Sequence, residues 1–226
     1  MQRNALILMA KAPEPGQVKT RLAPPLSFEE AAELARVLLI DQLGNLKQLT
    51  DTELFVAFTP RTSASFFENM VPAAFSCFPQ RGNSLGERMS YAFETVFGGG
   101  FRNILLIGSD LPPVPFDIFH RAYVALERVD REVVLGPSSD GGYYLVGMNR
   151  LIAGIFEGII WGGNDVLART REKLDQLKRR YELLPQWTDV DTCEDLRRLL
   201  LVDASIQSAM KNTMQLVRRL RLNGII

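Results

Sequence analysis

The sequence predicts a single three-layer α/β domain built on a mixed, mostly parallel sheet. Ile104, Leu105, Leu106 and Ile107 are four consecutive aliphatic residues without alternation, which suits a strand covered on both faces. Segments with strand and helix patterns alternate along the chain, as they do in α/β proteins. The chain has 226 residues, of which 46% are hydrophobic and 23% charged, so one domain with a sizeable core is expected.

The overall charge and the rare residue types exclude several classes of protein. Lys+Arg and Asp+Glu are both 26, so no basic excess indicates a nucleic-acid partner and any anion site must be local. The single His120 excludes a multi-histidine metal site, and Cys77 and Cys193 match no metal-ligand spacing, which favours a reduced, cytoplasmic protein. No apolar run approaches the roughly 20 residues of a membrane-spanning helix, so we expect no stable membrane insertion.

The first half of the chain predicts three strands and the helices between them. A strand over residues 5–10 is followed by a loop over 11–25, where four prolines are expected to prevent regular structure. Ser27 and Glu30 form a capping-box pattern at the start of an amphipathic helix. Further elements are predicted as a strand at 53–59, a helix at 63–70 and a strand at 74–79.

The second half continues the alternation. Ser84 and Glu87 form a second possible capping box for a helix that runs to about Phe97. The buried strand that begins at Asn103 ends before Asp110, and a helix is predicted to start at Pro115. The remaining predicted elements are a strand at 132–136, a turn-rich loop at 137–142, a strand at 143–148, a helix capped by Asn164 that reaches about Arg180, a strand at 181–184 and a helix at 194–201.

The C-terminal segment predicts one amphipathic helix over residues 205–222. Its apolar positions lie on one side and its basic residues largely on others. A helix docked on the domain, with cations near its C-terminus, is favoured over a membrane-surface helix. The sequence contains no repeat or linker, so residues 1–226 are predicted to form one domain that includes a docked C-terminal helix at 203–226.

The loop after the first strand contains a local excess of cations. Lys11, Lys19 and Arg21 lie near Gly16, with Glu14 as the one carboxylate of the loop. An Arg fork can bind two phosphate oxygens while a Lys acts as a movable point charge, so the loop is a candidate polyphosphate site. A solvated basic loop is the alternative interpretation.

Asp110 follows a buried strand, at the edge of the sheet where ligands of such sheets bind. A carboxylate at this position can hold Mg²⁺ or Mn²⁺, which would bridge phosphate oxygens. The metal would need a second carboxylate, for which Asp191 is the first candidate and Asp189 and Asp140 are substitutes. The alternative for Asp191 is that it only caps the helix that follows it.

Two further groups of residues are candidates for substrate contacts. Residues at the entry to the 84–97 helix are expected to present hydrogen bonds to a nucleotide base, although a simple helix entry has the same pattern; they are Gln80, Gly82, Leu85 and Gly86. Residues of a glycine-rich turn and a tryptophan offer backbone amides and ring faces to an acceptor, with a tight turn and a core tryptophan as alternatives; they are Gly141, Gly142, Tyr143 and Trp161.

Five motifs in this order resemble the nucleotide-diphospho-sugar transferase superfamily with the GT-A fold. More closely, they resemble the bacterial glycosyltransferase-like family called radical-SAM/selenodomain-associated transferase 1. The motifs are AKAPEPGQVKTRL at 10–22, LGERM at 85–89, GSD at 108–110, GPSSDGGYYL at 136–145 and DVDTCEDL at 189–196. The match covers most of the chain between residues 6 and 200.

A more distant likeness links the chain to 2-phospho-lactate guanylyltransferase and to sugar-nucleotide pyrophosphorylases. This likeness implies that Lys19 and Arg21 bind phosphate, that Asp110 and Asp191 hold Mg²⁺ or Mn²⁺, and that the loop at 140–143 receives the second substrate. The chain departs from these relatives in its proline-rich first loop. It also has Gly108 where glycosyltransferases of this fold usually carry the first residue of an Asp-x-Asp pair.

The resemblance implies a metal-dependent transferase that takes a nucleotide-sugar or a nucleoside triphosphate and a small-molecule acceptor. Glycosyl transfer is the first hypothesis, with Asp140 as the base for an acceptor hydroxyl. Nucleotidyl transfer to a small phosphorylated acid or sugar is the second, with Lys19, Arg21 and the metal at Asp110 stabilising the phosphate charge. A nucleotide-binding protein without catalysis is the hypothesis from another class.

Overall fold

The sheet and its helices account for most of the molecule. A computed structural model describes residues 3–226, and in that part of the chain seven strands form one sheet. The strands are β1 (Asn4–Lys11), β2 (Thr52–Thr59), β3 (Phe75–Pro79), β4 (Asn103–Gly108), β5 (Val133–Pro137), β6 (Tyr143–Met148) and β7 (Tyr181–Leu183). The helices are α1 (Phe28–Leu46), α2 (Ala64–Met70), α3 (Leu85–Gly98), α4 (Phe116–Glu127), α5 (Val166–Gln176), α6 (Cys193–Leu199), α7 (Ala204–Ala209) and α8 (Lys211–Leu222).

The strand order is β3-β2-β1-β4-β6-β5-β7. Strand β6 is antiparallel to both β4 and β5, whereas the other neighbouring pairs are parallel. The predicted mixed, mostly parallel sheet is therefore confirmed. Because β1, β4, β5 and β7 point the same way, their carboxyl ends meet at one edge, which is where α/β sheets bind their ligands.

Both faces of the sheet are covered by helices. On β1, Leu6 and Leu8 pack with α1, α2 and α4, while Ala5 and Ile7 pack with α3 and α5. Successive residues of a strand point to opposite faces, so an unbroken aliphatic run is what a doubly covered strand requires. The predicted three layers are present.

Helix α1 is buried on two sides. Its start has the predicted capping box, in which Ser27 Oγ accepts from Glu30 N at 3.2 Å and Glu30 Oε2 accepts from Ser27 N at 2.8 Å. One side packs on the sheet, and the other side packs against the 20–22 turn, α6 and α8. The C-terminal helices therefore form an additional layer outside α1.

Three local predictions are wrong in detail. The proline-rich loop contains one turn of 3₁₀-helix, Thr20–Leu22, because that stretch lies between its prolines. Helix α5 begins after Asp165 and ends at Gln176, and Asn164 does not cap it. At α3, Glu87 Oε2 accepts from Asn83 N at 2.8 Å rather than from the N-cap residue Ser84, so half of the expected capping box forms.

The predicted single helix at 205–222 is two helices separated at Met210. The side chain of Met210 is fully buried, and its backbone is not helical. The buried Asp41 carboxylate of α1 accepts from Asn212 N, Asn212 Nδ2 and Thr213 N at 3.3, 2.7 and 2.8 Å, and so caps α8 from outside. Asn45 Nδ2 donates to Ala209 O at 2.7 Å at the end of α7. These contacts with α1 satisfy the backbone groups that the break exposes.

Within residues 3–226, no helix combines the length and the apolar character that crossing a membrane requires. Cys77 and Cys193 are both free thiols. The apolar sides of the helices in the segment 203–226 pack against α1.

Replacement of Asp41 by Ala should lower the free energy of unfolding by about 2 kcal/mol or more, because it leaves the first N–H groups of α8 buried without an acceptor. Urea unfolding of both proteins measures the difference. Asp203→Ala is the matched control, since Asp203 stands at the N-cap position of α7 but its side chain makes no capping hydrogen bond. Equal losses in the two variants would contradict the role of Asp41.

Candidate active site

Two loops meet at the carboxyl edge of the sheet and hold each other in place. The loop after β4 carries Asp110, and the segment 187–191 runs beside it after β7. Val190 N donates to Asp110 O at 3.2 Å, and Trp187 Nε1 donates to Pro112 O at 3.2 Å. From the other side, Gln42 Nε2 of α1 donates to Leu111 O at 3.1 Å. Asp110 therefore stands on a backbone that is fixed on both sides.

The ammonium group of Lys19 lies between these two loops. Its Nζ donates to Asp110 O at 3.2 Å, to Val190 O at 2.8 Å and to Asp191 Oδ1 at 3.1 Å. The Lys19 side chain is only 1% exposed, and its backbone is left-handed, with φ 49°. An ammonium has three protons, so the three donors of Lys19 are directed at protein oxygens.

The carboxylates of Asp110 and Asp191 both approach this ammonium. Asp110 Oδ1 lies 3.7 Å from Lys19 Nζ and Asp191 Oδ1 lies 3.1 Å from it, so the two side chains are neighbours. Asp191 Oδ2 is 3.7 Å from Arg21 Nη1. The side chains of Asp110, Asp191 and Arg21 are 59%, 37% and 70% exposed, which leaves each of them open to a ligand from solvent.

Asp191 is not the cap of the helix that follows it. Thr192 is the N-cap residue of α6, and its side chain forms a reciprocal capping box with Asp195. The Asp191 side chain instead contacts Lys19 and Arg21. Of the two interpretations that the sequence left open for Asp191, the geometry excludes capping.

Asp189 is the residue whose chemistry is most altered by the site. Its pKa is raised to about 7, mainly by burial and also by the nearby carboxylates of Asp191, Asp140 and Asp110, against the opposing effect of Lys19. The sequence predicts Asp189 only as a substitute for Asp191 in the role of second metal ligand. The Asp-Val-Asp pattern at 189–191 was the available signal, but the burial that distinguishes the two aspartates arises from tertiary packing.

Asp140 closes the turn between β5 and β6. Its Oδ1 accepts a very short hydrogen bond from Ser138 Oγ and a second one from Gly142 N at 3.0 Å. Gly141 has φ 91°, and a Cβ at this position would lie 2.0 Å from Asn164 O, so only glycine fits between this turn and the start of α5. The tight-turn interpretation of this segment therefore holds, and Asp140 of this turn also lines a cavity.

A cavity of about 250 Å³ is lined by Asp140 and Asp189, together with Ser138 and Gly142 of the 138–142 turn. Of the four residues predicted to contact an acceptor, Gly142, Tyr143 and Trp161 line it, whereas Gly141 does not. Trp161 and Tyr143 meet edge to face with their ring centroids 6.3 Å apart. Most other lining residues come from strands and from α3 and were indistinguishable from core in the sequence; they include Met9, Met89, Leu106 and Val146.

Most residues predicted to bind the nucleotide have structural partners. Lys11 Nζ donates to Gln17 O at 2.7 Å, within its own loop, and Gly16 lies in that loop with φ 74°. Gln80 Nε2 donates to Ala57 O at 2.8 Å, which ties it to the end of β2.

The helix-entry residues also have local roles. Gly82 has φ 127°, and a Cβ at Gly86 would lie 2.9 Å from Trp161 Nε1, so Gly86 allows α3 to pack on the tryptophan. Leu85 lines the cavity, and its side chain remains available to a ligand. The structure does not bring Gln80, Gly82 and Lys11 into this cavity.

The fit of a metal ion depends on the donors that the site offers. Among residues 3–226, no group of three or more His, Cys, Asp or Glu side chains is arranged to hold one. Asp110 and Asp191 provide a two-carboxylate site with solvent access. This donor set matches Mg²⁺ or Mn²⁺, which take one or two carboxylates and complete their shells with water and phosphate oxygens.

Comparison with solved structures relates the fold to known proteins. The chain is similar to a "putative nucleotide-diphospho-sugar transferase" from Desulfovibrio desulfuricans G20, with 31% identity, a TM-score of 0.86 and coverage of 97% of this chain and 98% of that one. It is also similar to a cytidylyltransferase from Leptospira borgpetersenii serovar Hardjo-bovis, with 14% identity, a TM-score of 0.60 and coverage of 99% and 96%.

A third structure is a complex with manganese of Rv0371C from Mycobacterium tuberculosis H37Rv, with 17% identity, a TM-score of 0.55 and coverage of 89% of this chain and 100% of that one. At such low identities, the second and third comparisons show the fold alone. A search of curated proteins finds no match.

Together, the sheet order and these similarities define a protein with the fold of the nucleotide-diphospho-sugar transferase superfamily, as the motifs indicate. The chain belongs to the family described as "Uncharacterized protein conserved in bacteria (DUF2064)", whose model matches residues 42–163. The structural relatives are transferases and nucleotidyltransferases, which favours an enzyme.

Replacement of Lys19 by Met should lower the free energy of unfolding by about 2 kcal/mol or more, because two loop carbonyls and the Asp191 carboxylate lose a charged donor in a buried position. Urea unfolding measures the loss. Lys11→Met is the matched control, since the exposed Lys11 makes one hydrogen bond within its own loop. If the two variants are equally stable, the buried ammonium does not hold the site together.

The raised pKa of Asp189 predicts a specific dependence of stability on pH. Between about pH 4, the ordinary pKa of Asp, and pH 7, the folded state keeps a proton that the unfolded state has lost, so the free energy of unfolding falls as the pH rises. Asp189→Asn removes this contribution. In EDTA-containing buffer, the variant should gain stability relative to wild type as the pH rises from 4 to 7, and the difference should be constant above about pH 8. The difference in the free energy of unfolding between wild type and the exposed control Asp175→Asn should be constant over the whole pH range. The same constant difference for Asp189→Asn would refute the prediction.

Proposed function

We propose that this protein is a metal-dependent transferase that uses a nucleotide-sugar and moves the glycosyl group to a small-molecule acceptor. The observation that carries the proposal is the pair of carboxylates, Asp110 and Asp191, at the carboxyl edge of the sheet. Neither caps a helix, Asp191 contacts the exposed guanidinium of Arg21, and both carboxylates act on Asp189, which lines the cavity. The charged groups that would bind a nucleoside diphosphate are thus close to the cavity that would hold an acceptor.

In this proposal, Asp110 and Asp191 hold Mg²⁺ or Mn²⁺. The metal supplies positive charge that stabilises the departing nucleoside diphosphate. The manganese complex of a protein with the same fold supports this assignment at the level of the fold. The name of the Desulfovibrio relative supports a nucleotide-diphospho-sugar as the donor.

The two cations of the first loop have different roles in the proposal. Arg21 is exposed and touches only one edge of Asp191, at 3.7 Å, so its fork is free to bind phosphate oxygens. The donors of Lys19 point at protein oxygens. We therefore assign Lys19 to holding and partly neutralising the two carboxylates, and Arg21 to direct contact with phosphate.

The chemical step is a displacement at the anomeric carbon. The acceptor oxygen forms a bond to that carbon as the bond to the diphosphate oxygen breaks, and the electron pair leaves with the nucleoside diphosphate. Asp140 accepts the hydroxyl proton through the carboxylate oxygen that does not bind Ser138 and Gly142. Arg21 stabilises the negative charge of the leaving group.

Nucleotidyl transfer is the second candidate, and it is supported by the cytidylyltransferase of the same fold. In this reaction, a phosphate oxygen of a small phosphorylated acid or sugar attacks the α-phosphate of a nucleoside triphosphate, and pyrophosphate leaves. The same carboxylates and Arg21 would serve it. For either reaction we propose the cytoplasm as the location, in keeping with two free cysteines.

Thermal unfolding with a panel of nucleotide-sugars and nucleoside triphosphates, each with and without Mn²⁺, tests the proposal. At least one nucleotide-sugar should raise the melting temperature in a Mn²⁺-dependent way, because a ligand that binds only the folded state stabilises it. Asp110→Asn and Asp191→Asn should each abolish this shift. Asp175→Asn, on the exposed side of α5, should retain it.

The pattern of shifts separates the candidates. A response only to triphosphates would replace glycosyl transfer by nucleotidyl transfer. Metal-independent shifts that survive Asp110→Asn would indicate nucleotide binding without metal-dependent catalysis. The absence of any shift over the panel would remove the transferase proposal.

A further inference from the structure

The cavity beside the aspartates has an unusual chemical lining for a transferase that acts on sugars or phosphates. Its walls are mostly aliphatic, sulfur-containing or aromatic, and its charged residues are Asp140 and Asp189. In the part of the chain that the structure describes, no Lys, Arg or His lines it. The cavity therefore has an apolar body and one acidic end.

Of the three side-chain hydroxyls in the cavity lining, those of Ser138 and Tyr144 are already engaged, whereas the buried Tyr143 hydroxyl makes no hydrogen bond within residues 3–226. Ser138 Oγ donates to Asp140, and Tyr144 OH donates to Pro185 O at 3.0 Å. A polyol placed in the cavity would bury several hydroxyls among Met9, Met89 and Val146 without partners. Each such hydroxyl weakens binding by about tenfold.

The charge of the cavity lining also disfavours a phosphorylated acceptor. A phosphate or carboxylate inside the cavity would face the carboxylate of Asp140 with no cation in the lining. A neutral or cationic group would not meet this repulsion. An apolar body would gain from contact with Trp161 and Leu85.

We propose that the acceptor of this transferase is a neutral or cationic alcohol with an apolar or aromatic body, bound with that body in the cavity and its hydroxyl at Asp140. This inference rests on the proposed function, since it names the class of the second substrate. It excludes polyols and phosphorylated sugars as acceptors.

The position of the cavity indicates the acceptor rather than the nucleotide base. Of the residues that the sequence predicts at the base, Gln80, Gly82 and Gly86 do not line it, whereas Leu85 does. Gly142, Tyr143 and Trp161, predicted at the acceptor, do. Asp189 lines the cavity and lies near enough to Asp110 and Asp191 to feel their charge, so a hydroxyl bound at the acidic end is close to the two proposed metal ligands.

Four probes of similar size test the inference by ligand-detected NMR titration of the full chain in EDTA. They are 2-phenylethanol, 2-phenylethylamine, phenyl phosphate and myo-inositol. The alcohol and the amine should bind at least tenfold more tightly than phenyl phosphate and myo-inositol. Equal or tighter binding of phenyl phosphate or myo-inositol would overturn the inference.

A matched pair of variants shows whether the probes occupy this cavity. Leu85 is 45% exposed and lines it, whereas Leu151 is 46% exposed and lies in a different groove. Leu85→Lys should raise the affinity for phenyl phosphate relative to that for 2-phenylethanol by threefold or more. Leu151→Lys should leave the ratio unchanged. If both or neither of the variants shift it, the preference does not originate in this cavity.

A competition experiment separates the acceptor from the base and this inference from the proposed function. With Mn²⁺ present, the nucleoside diphosphate of each nucleotide-sugar that raises the melting temperature is added to the complex with 2-phenylethanol. Retention of the alcohol supports an acceptor site, and its displacement would mean that the cavity holds the base. The titrations in EDTA need neither metal nor nucleotide, so failure of the nucleotide panel and failure of the probe preference are separate results.

Discussion

The buried ammonium of Lys19 links the parts of the molecule that form the site. It joins the loop after β1, the loop after β4 and the segment 187–191 through oxygens of Asp110, Val190 and Asp191. A charge with so little exposure is tolerated only when it is fully hydrogen-bonded and paired. Displacement of either the loop after β4 or the segment 187–191 would therefore leave at least one donor of the ammonium unsatisfied, which couples the positions of these segments.

This arrangement leaves the site with more negative than positive charge. The carboxylates of Asp110, Asp140 and Asp191 all raise the pKa of Asp189, and Lys19 alone opposes them. The exposed Arg21 stands at the outer side. An acidic centre with one exposed guanidinium suits a substrate whose phosphate groups bind together with a divalent cation. The adjoining cavity suits a ligand without negative charge. The two halves of the site thus differ in the chemistry that they accept.

Helix α1 connects this site to the C-terminal helices. Asp41 caps α8, Asn45 binds the end of α7, and Gln42 donates to Leu111 O beside Asp110. Three polar residues on a buried helix would be unfavourable in isolation, but each has a partner that anchors a neighbouring segment. Docking of the C-terminal helices and placement of the loop after β4 therefore depend on the same helix.

The sequence by itself determined the fold class, the sheet edge and the position of Asp110, because hydrophobic period, prolines and capping patterns are local signals. It also indicated Asp191, but could not separate a ligand from a helix cap. Tertiary structure decided that question by giving the cap to Thr192 and Asp195. It likewise broke the last helix at Met210, buried Asp189 and directed Lys19 toward protein oxygens. The cap is a local contact, but the break at Met210, the burial of Asp189 and the position of Lys19 depend on burial or on contacts between residues 91 or more positions apart, which no local pattern contains.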